Sequence, residues 1–87
     1  MLRIKDTALK RKHTREEISH AFDFALAWTV IDDDAEPPKL LFIGPDSAGN
    51  LLELIGSDLD GGGTLIWHAM ACRSQYLGLL PSQGGEL

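Results

Sequence analysis

A single carboxylate, Glu53, interrupts the apolar run Leu51-Leu52-Glu53-Leu54-Ile55. Left unpaired it would be costly to bury, so it must raise its pKa or find a cationic partner. One later residue can answer that need, His68, within Ile66-Trp67-His68-Ala69-Met70; Arg73, the only basic residue after Lys39, stands separately, where the last strand gives way to the terminal segment. A histidine beside a carboxylate suits proton transfer near neutral pH. An arginine can clamp a phosphate through paired hydrogen bonds or stabilise charge on a pentavalent phosphorus. The same residues also read more plainly, as a pair that supports a sheet and a surface ion pair. Tyr76 reads either as a stacking platform for a base or as core filling.

A second group lies at the start of the chain, where Lys10-Arg11-Lys12-His13-Thr14-Arg15 concentrates cations around a histidine. Of the eight basic residues in 87, six fall in the first fifteen positions, opposed there only by Asp6. The rest of the chain sets Lys39 and Arg73 against twelve carboxylates, so a basic end sits on an acidic body. Such a field docks a phosphate backbone locally and repels it elsewhere, although a solvated helix end has the same composition.

Other clusters carry less. Asp32, Asp33, Asp34 and Glu36 are consecutive loop acids without histidine, and Asp58, Asp60 and Gly61 lack the glutamate that would close a calcium loop, so no metal site is expected. Gly61 to Gly63 is not followed by Lys-Ser or Lys-Thr, which excludes a phosphate loop. Cys72 is the only cysteine and has no activating partner nearby in sequence, so it reads as a small buried residue of a protein in a reducing, cytoplasmic compartment. No apolar run approaches the roughly 20 residues that cross a bilayer.

These residues need elements to position them. A hydrophobic content of 44% in 87 residues suits one domain, expected over residues 1–81 with a flexible tail at 82–87. Leu2 to Lys5 reads as a short strand or extended lead, and Asp6 or Thr7 can cap a brief helix through His13. Thr14 and Glu17 have capping-box spacing, opening a second helix whose stripe of Ile18, Ala21, Phe22, Ala25 and Leu26 ends near Leu26 or Ala27. Strands are expected at about 28–31, 39–44, 50–56 and 64–72, joined by short glycine-bearing turns that favour antiparallel hairpins. A terminal helix is expected over 73–80, before Pro81. The result is an α+β fold: two N-terminal helices on a three- to four-stranded antiparallel sheet, with a short C-terminal helix.

Alternation along the strands assigns the faces. A hairpin with odd residue-number sums puts Leu51, Glu53 and Ile55 with Ile66, His68 and Met70, with Glu53 opposite or diagonal to His68. Leu52, Leu54, Leu65, Trp67 and Ala69 then form the apolar face toward the helix. Each large side chain buried there is worth roughly 1.5–3 kcal/mol.

The Lys12-His13 pair, the Thr14-Arg15-Glu16-Glu17-Ile18 helix start, the Gly44-Pro45 to Leu54 hairpin and His68-Ala69-Met70-Ala71-Cys72-Arg73 together resemble BrnT-type toxins of the RelE-like superfamily. The similarity runs from about Ile4 to Tyr76. It implies the toxin component of a type II toxin-antitoxin system: a ribonuclease needing neither metal nor cofactor, in which the RNA 2′-hydroxyl is the nucleophile. Its partners would be a cognate antitoxin protein and RNA, free or as ribosome-bound mRNA, with no membrane, and a second copy of the chain in a homodimer. On this reading His68 and Glu53 handle protons, Arg73 stabilises transition-state charge, and Lys10, Lys12, His13 and Arg15 hold the RNA. Where the best-known members have Ser-Ala-Arg, this chain has His68-Ala69-Met70, which motivates an alternative: a non-catalytic toxin-fold interaction module or nucleic-acid binder.

Overall fold

The capping box forms at the expected place: the Glu17 N–H donates to Thr14 Oγ1 at 3.1 Å while the Thr14 N–H donates to Glu17 Oε1 at 2.8 Å. In the computed structural model, which describes residues 1–10 and 13–81, this box starts α1 (Arg15–Asp23). The helix stops at Asp23 because the chain is drawn into the sheet, where the Leu26 N–H donates to the Ile43 carbonyl at 2.7 Å. Ile18 and Ala21 are fully buried, whereas Leu26, expected in the same stripe, is 51% exposed.

Five strands follow the order β1-β5-β4-β3-β2 across one sheet: β1 (Leu2–Ile4), β2 (Ala27–Asp32), β3 (Lys39–Pro45), β4 (Leu51–Asp58) and β5 (Thr64–Ala71). β2 to β5 form an antiparallel meander, as the short turns require. Asp46 organises the β3–β4 turn, its Oδ1 accepting from the N–H groups of Ala48 at 3.0 Å and Asn50 at 2.8 Å. Gly61, Gly62 and Gly63 all have positive φ in the β4–β5 turn, which explains the triple glycine as turn chemistry.

This architecture corrects the expected one. There is one α-helix among the described residues, not two before the sheet, and the sheet has five strands and mixed direction. The segment Asp6–Leu9 makes only a 3-10 turn, since one short turn gains too few hydrogen bonds to propagate a helix. The preceding residues form β1, within the short strand or extended lead expected at Leu2 to Lys5, but it joins the sheet in parallel with β5, as Leu2↔Thr64, Arg3↔Leu65 and Ile4↔Ile66. That pairing joins segments far apart in the sequence, so no local pattern announces it. Ser74–Leu79 is likewise a 3-10 segment rather than an α-helix, and Gly78 inside it disfavours helix continuation. The tail expected at 82–87, together with Arg11 and Lys12, lies outside the described residues.

The core lies between α1 and one sheet face, where Ala8, Ile18, Ala21, Leu52, Leu54, Ile66 and Ala69 are buried together. Leu52, Leu54 and Ala69 are on the face expected for them, but Ile66 has replaced Leu65 and Trp67. The cause is a bulge in β5: Ile55 pairs with His68 and Gly56 pairs with Ile66, leaving Trp67 as the extra residue. Residues before the bulge are therefore turned over relative to those after it. Gly56 permits this, because a Cβ there would run into the Leu65 carbonyl oxygen. Gly44 plays a similar part at the helix, where a Cβ would meet the Ala21 carbonyl.

Thr14→Ala removes one half of the capping box and should lower stability by about 1 kcal/mol. Leu54→Ala opens a core cavity and should lower it by about 2–5 kcal/mol. Both effects are read as a fall in the urea midpoint with an unchanged m-value.

Candidate active site

The second sheet face carries the charged cluster. Glu53 is held in the central strand β4, between Ile43 of β3 and Met70 of β5, and its side chain is 0% exposed. Burying a charge there requires several strong hydrogen bonds to its oxygens. Arg73 supplies most of them: its Nη2 donates to Oε2 at 2.7 Å, its Nε to Oε1 at 3.0 Å, and its backbone N–H to Oε1 at 2.9 Å. His68, two residues along β5 from Met70 and so on the same face, brings Nε2 to 3.1 Å from Oε2.

The protonation states follow. Burial alone pushes the Glu53 carboxyl up, but the hydrogen bonds from Arg73 and His68 and the Arg73 charge together hold it below the ordinary glutamate range. The hydrogen bond to Glu53 in turn pushes the Arg73 guanidinium up. Both groups are ionised across the physiological range. An ionised carboxylate only accepts hydrogen bonds, so the hydrogen of the 3.1 Å contact sits on His68 Nε2. In the neutral ring Nδ1 then keeps its lone pair. Carboxylate contacts of this kind are how histidine tautomers are set in catalytic and metal sites.

Solvent reaches this cluster through Arg73 and His68. The Arg73 side chain is 43% exposed, with its Cζ 5.4 Å from the Tyr76 ring centroid, and that of His68 is 24% exposed. Arg73 thus spends one edge on Glu53 and keeps Nη1 for a ligand. The arrangement offers a proton acceptor and a guanidinium anchored to the same buried anion.

His68, Glu53 and Arg73, the three expected catalytic residues, are brought together, but their roles divide differently. Direct proton handling by Glu53 does not fit its geometry, because the carboxylate is sealed from solvent and both oxygens are occupied. It acts as a positioning residue. The described members of the expected RNA-binding set, Lys10, His13 and Arg15, are not assembled with this cluster. His13, just before the Thr14 cap, lies 3.7 Å from Glu17, and Arg15, the first residue of α1, reaches back only to the Ile4 carbonyl at 3.5 Å; α1 packs against the opposite face. Lys10 is exposed after the 3-10 turn, and Lys12 lies outside the described residues.

The fold supplies other cations in their place. An open groove of about 530 Å³ beside His68 is lined by Lys5, Thr7, Ile31, Lys39, Ile55 and Trp67. Leu2 and Ile4 pack toward the core, which turns the intervening Arg3 and the following Lys5 to the His68 face. Lys39 enters from the start of β3. Neither Lys5 nor Lys39 has an ion-pair partner among the described residues. Sequence reasoning overlooked Lys5, Lys39 and Trp67 as a group, and the signal that could have found them is Gly56, since a glycine inside a strand often marks a bulge.

Away from this face, the carboxylate oxygens of Asp32, Asp33 and Asp34 lie within 4.8 Å of one another, in a loop shaped by local hydrogen bonds. Asp32 Oδ1 accepts from the N–H groups of Asp34 at 3.1 Å and Ala35 at 3.2 Å, so the acidic run makes a turn. Burial pushes the Cys72 thiol up, away from nucleophilic reactivity.

Because the Glu53 carboxyl titrates lower in the folded protein than in the unfolded chain, its stabilising contribution is fully present above about pH 4.3. It is lost as pH falls through the lowered value. Glu53→Gln should therefore cost about 2–3 kcal/mol at pH 7, less than a fully buried pair because Arg73 stays partly solvated. The gap between the two proteins should narrow in urea titrations taken progressively below pH 4.3. No protein-family model, curated protein or solved structure matches this chain, so the chemistry of the cluster carries the functional reading.

Proposed function

We propose that this protein is an endoribonuclease that cleaves single-stranded RNA using the RNA's own 2′-hydroxyl, and that it acts as the toxin of a toxin-antitoxin pair. The observation that carries the proposal is His68, whose Nε2 is held by a buried, ionised carboxylate that also anchors Arg73. Intramolecular transesterification asks for little more than a base and a cation, because the substrate brings its own nucleophile. His68 Nδ1 takes the 2′-hydroxyl proton as the 2′-oxygen bonds to phosphorus. The bond from phosphorus to the 5′-oxygen breaks, and the departing oxygen takes a proton from water. Arg73 Nη1 lies against the non-bridging oxygens while negative charge accumulates on them. The products are a 2′,3′-cyclic phosphate and a 5′-hydroxyl.

The toxin role rests on the similarity to BrnT-type toxins in the Lys12-His13 pair, the capped helix start and the segment from His68 to Arg73. A cognate antitoxin would then be the protein partner. A second reading, a module that binds without turnover, has one observation in its favour: Phe24, Leu26, Trp28 and Val30 are 44–66% exposed along the outer strand β2 and the turn before it. Such an apolar strip at a sheet edge is suited to a protein partner.

Purified protein, alone or with ribosomes, should cleave RNA in EDTA and leave 2′,3′-cyclic phosphate ends, and a 2′-deoxy substitution at the scissile nucleotide should stop it. His68→Ala should lower kcat by about 10²–10⁴ and Arg73→Ala by about 10²–10³. A fully active His68→Ala variant would remove the histidine from the mechanism. Harmless expression of the chain in a bacterium, with RNA bound but intact, would favour the binding module.

A further inference from the structure

The bulge in β5 puts an indole where regular alternation would not. With Ile55 paired to His68 and Gly56 to Ile66, Trp67 stands beside His68 on the open face instead of entering the core. Its backbone is held there: the Trp67 carbonyl accepts from Thr7 Oγ1 at 2.8 Å, and the Ile66 carbonyl accepts from the Lys5 N–H at 2.8 Å. A half-buried tryptophan on a rigid strand, with Lys5 and Lys39 lining the same groove and no acid among its walls, combines an aromatic platform with two phosphate-seeking amines. Bulges beside reactive groups commonly re-aim a side chain in this way.

We propose that Trp67, Lys5 and Lys39 form a nucleotide subsite next to His68, in which one unpaired base of a single-stranded RNA stacks on the indole while its flanking phosphates lie against the two amines. The subsite rests on the ribonuclease reading for its substrate. Stacking on a side chain needs a base already free of its duplex, so the subsite selects single strands. It also sets a limit to the footprint. The adjoining groove of about 620 Å³ shares Lys5 and Trp67 but is lined by Glu36, Asp58 and Asp60, whose charge repels a continuing backbone. The bound segment is therefore short and leaves on the other side of Trp67.

The chain has two tryptophans, and Trp28 lies on the helix side of the sheet, among Leu40, Phe42 and Thr64. Trp28→Phe thus makes Trp67 the sole indole without touching the groove. In that background a short 2′-O-methyl RNA, which binds but lacks the free 2′-hydroxyl needed for cleavage, should quench the fluorescence saturably, and the same sequence as a duplex should not. In the native background, affinity read by anisotropy of a labelled oligonucleotide should fall about tenfold or more with Trp67→Ala and be largely restored by Trp67→Tyr. Lys5→Ala and Lys39→Ala should each flatten the dependence of log K on log salt by about 0.7. Unchanged affinity in a folded Trp67→Ala protein, or equal quenching by the duplex, would overturn the subsite. Cleavage assays separate the two proposals: quenching without turnover sinks the ribonuclease reading and leaves the subsite, whereas turnover with unaltered KM in Trp67→Ala does the reverse.

Discussion

A carboxylate buried in the middle of a sheet sets the terms for the rest of this molecule. Glu53 sits on the central strand with strands paired on both sides, so it cannot reach the rim for water. Its charge survives only because Arg73 and His68 come to it. The backbone N–H of Arg73 joins in, which ties the exit of β5 and the start of the final 3-10 segment to the same anion. Removing either the charge or its partner leaves the other uncompensated, so cluster and fold are coupled.

The same interaction gives Arg73 and His68 a direction. Glu53 has spent its acceptor capacity on Arg73 and on Nε2 of His68, and this leaves Nδ1 and the far edge of the guanidinium as the groups able to meet a ligand. The carboxylate therefore sets the tautomer and the orientation of the histidine while itself staying sealed from solvent. The exposed side of this pair opens on Lys5, Lys39 and Trp67. Charge segregation along the chain is thus only partly reproduced in space. Lys5 reaches the groove because alternation in β1 turns it there, whereas His13 and Arg15 remain with α1 on the other face.

Much of the local structure was legible before folding. Thr14 and Glu17 announced a helix start through a spacing that only the first helical turn can use, and the antiparallel strands followed from runs bounded by glycine-bearing turns. The need of Glu53 for a cationic partner was legible too, as was the odd register that places His68 diagonal to it. Helix number was misjudged, because composition around Asp6 cannot tell a 3-10 turn from the start of a longer helix when the decision lies in what the flanking residues pair with. The positions of Leu65, Ile66 and Trp67 were misjudged for a different reason, since strict alternation assumes a ladder without an extra residue.

Taken alone, the amino-acid sequence determined the capped helix, the order of hairpins and the presence of a buried carboxylate that must be paired, because each follows from interactions among residues close along the chain. The tertiary structure alone decided that β1 closes the sheet beside β5, that a bulge opposite Gly56 sends Ile66 inward and Trp67 outward, and that Lys39 joins Lys5 beside His68. Those outcomes depend on backbone groups distant in sequence competing for the same hydrogen bonds and the same space, and that competition exists only once the chain has folded.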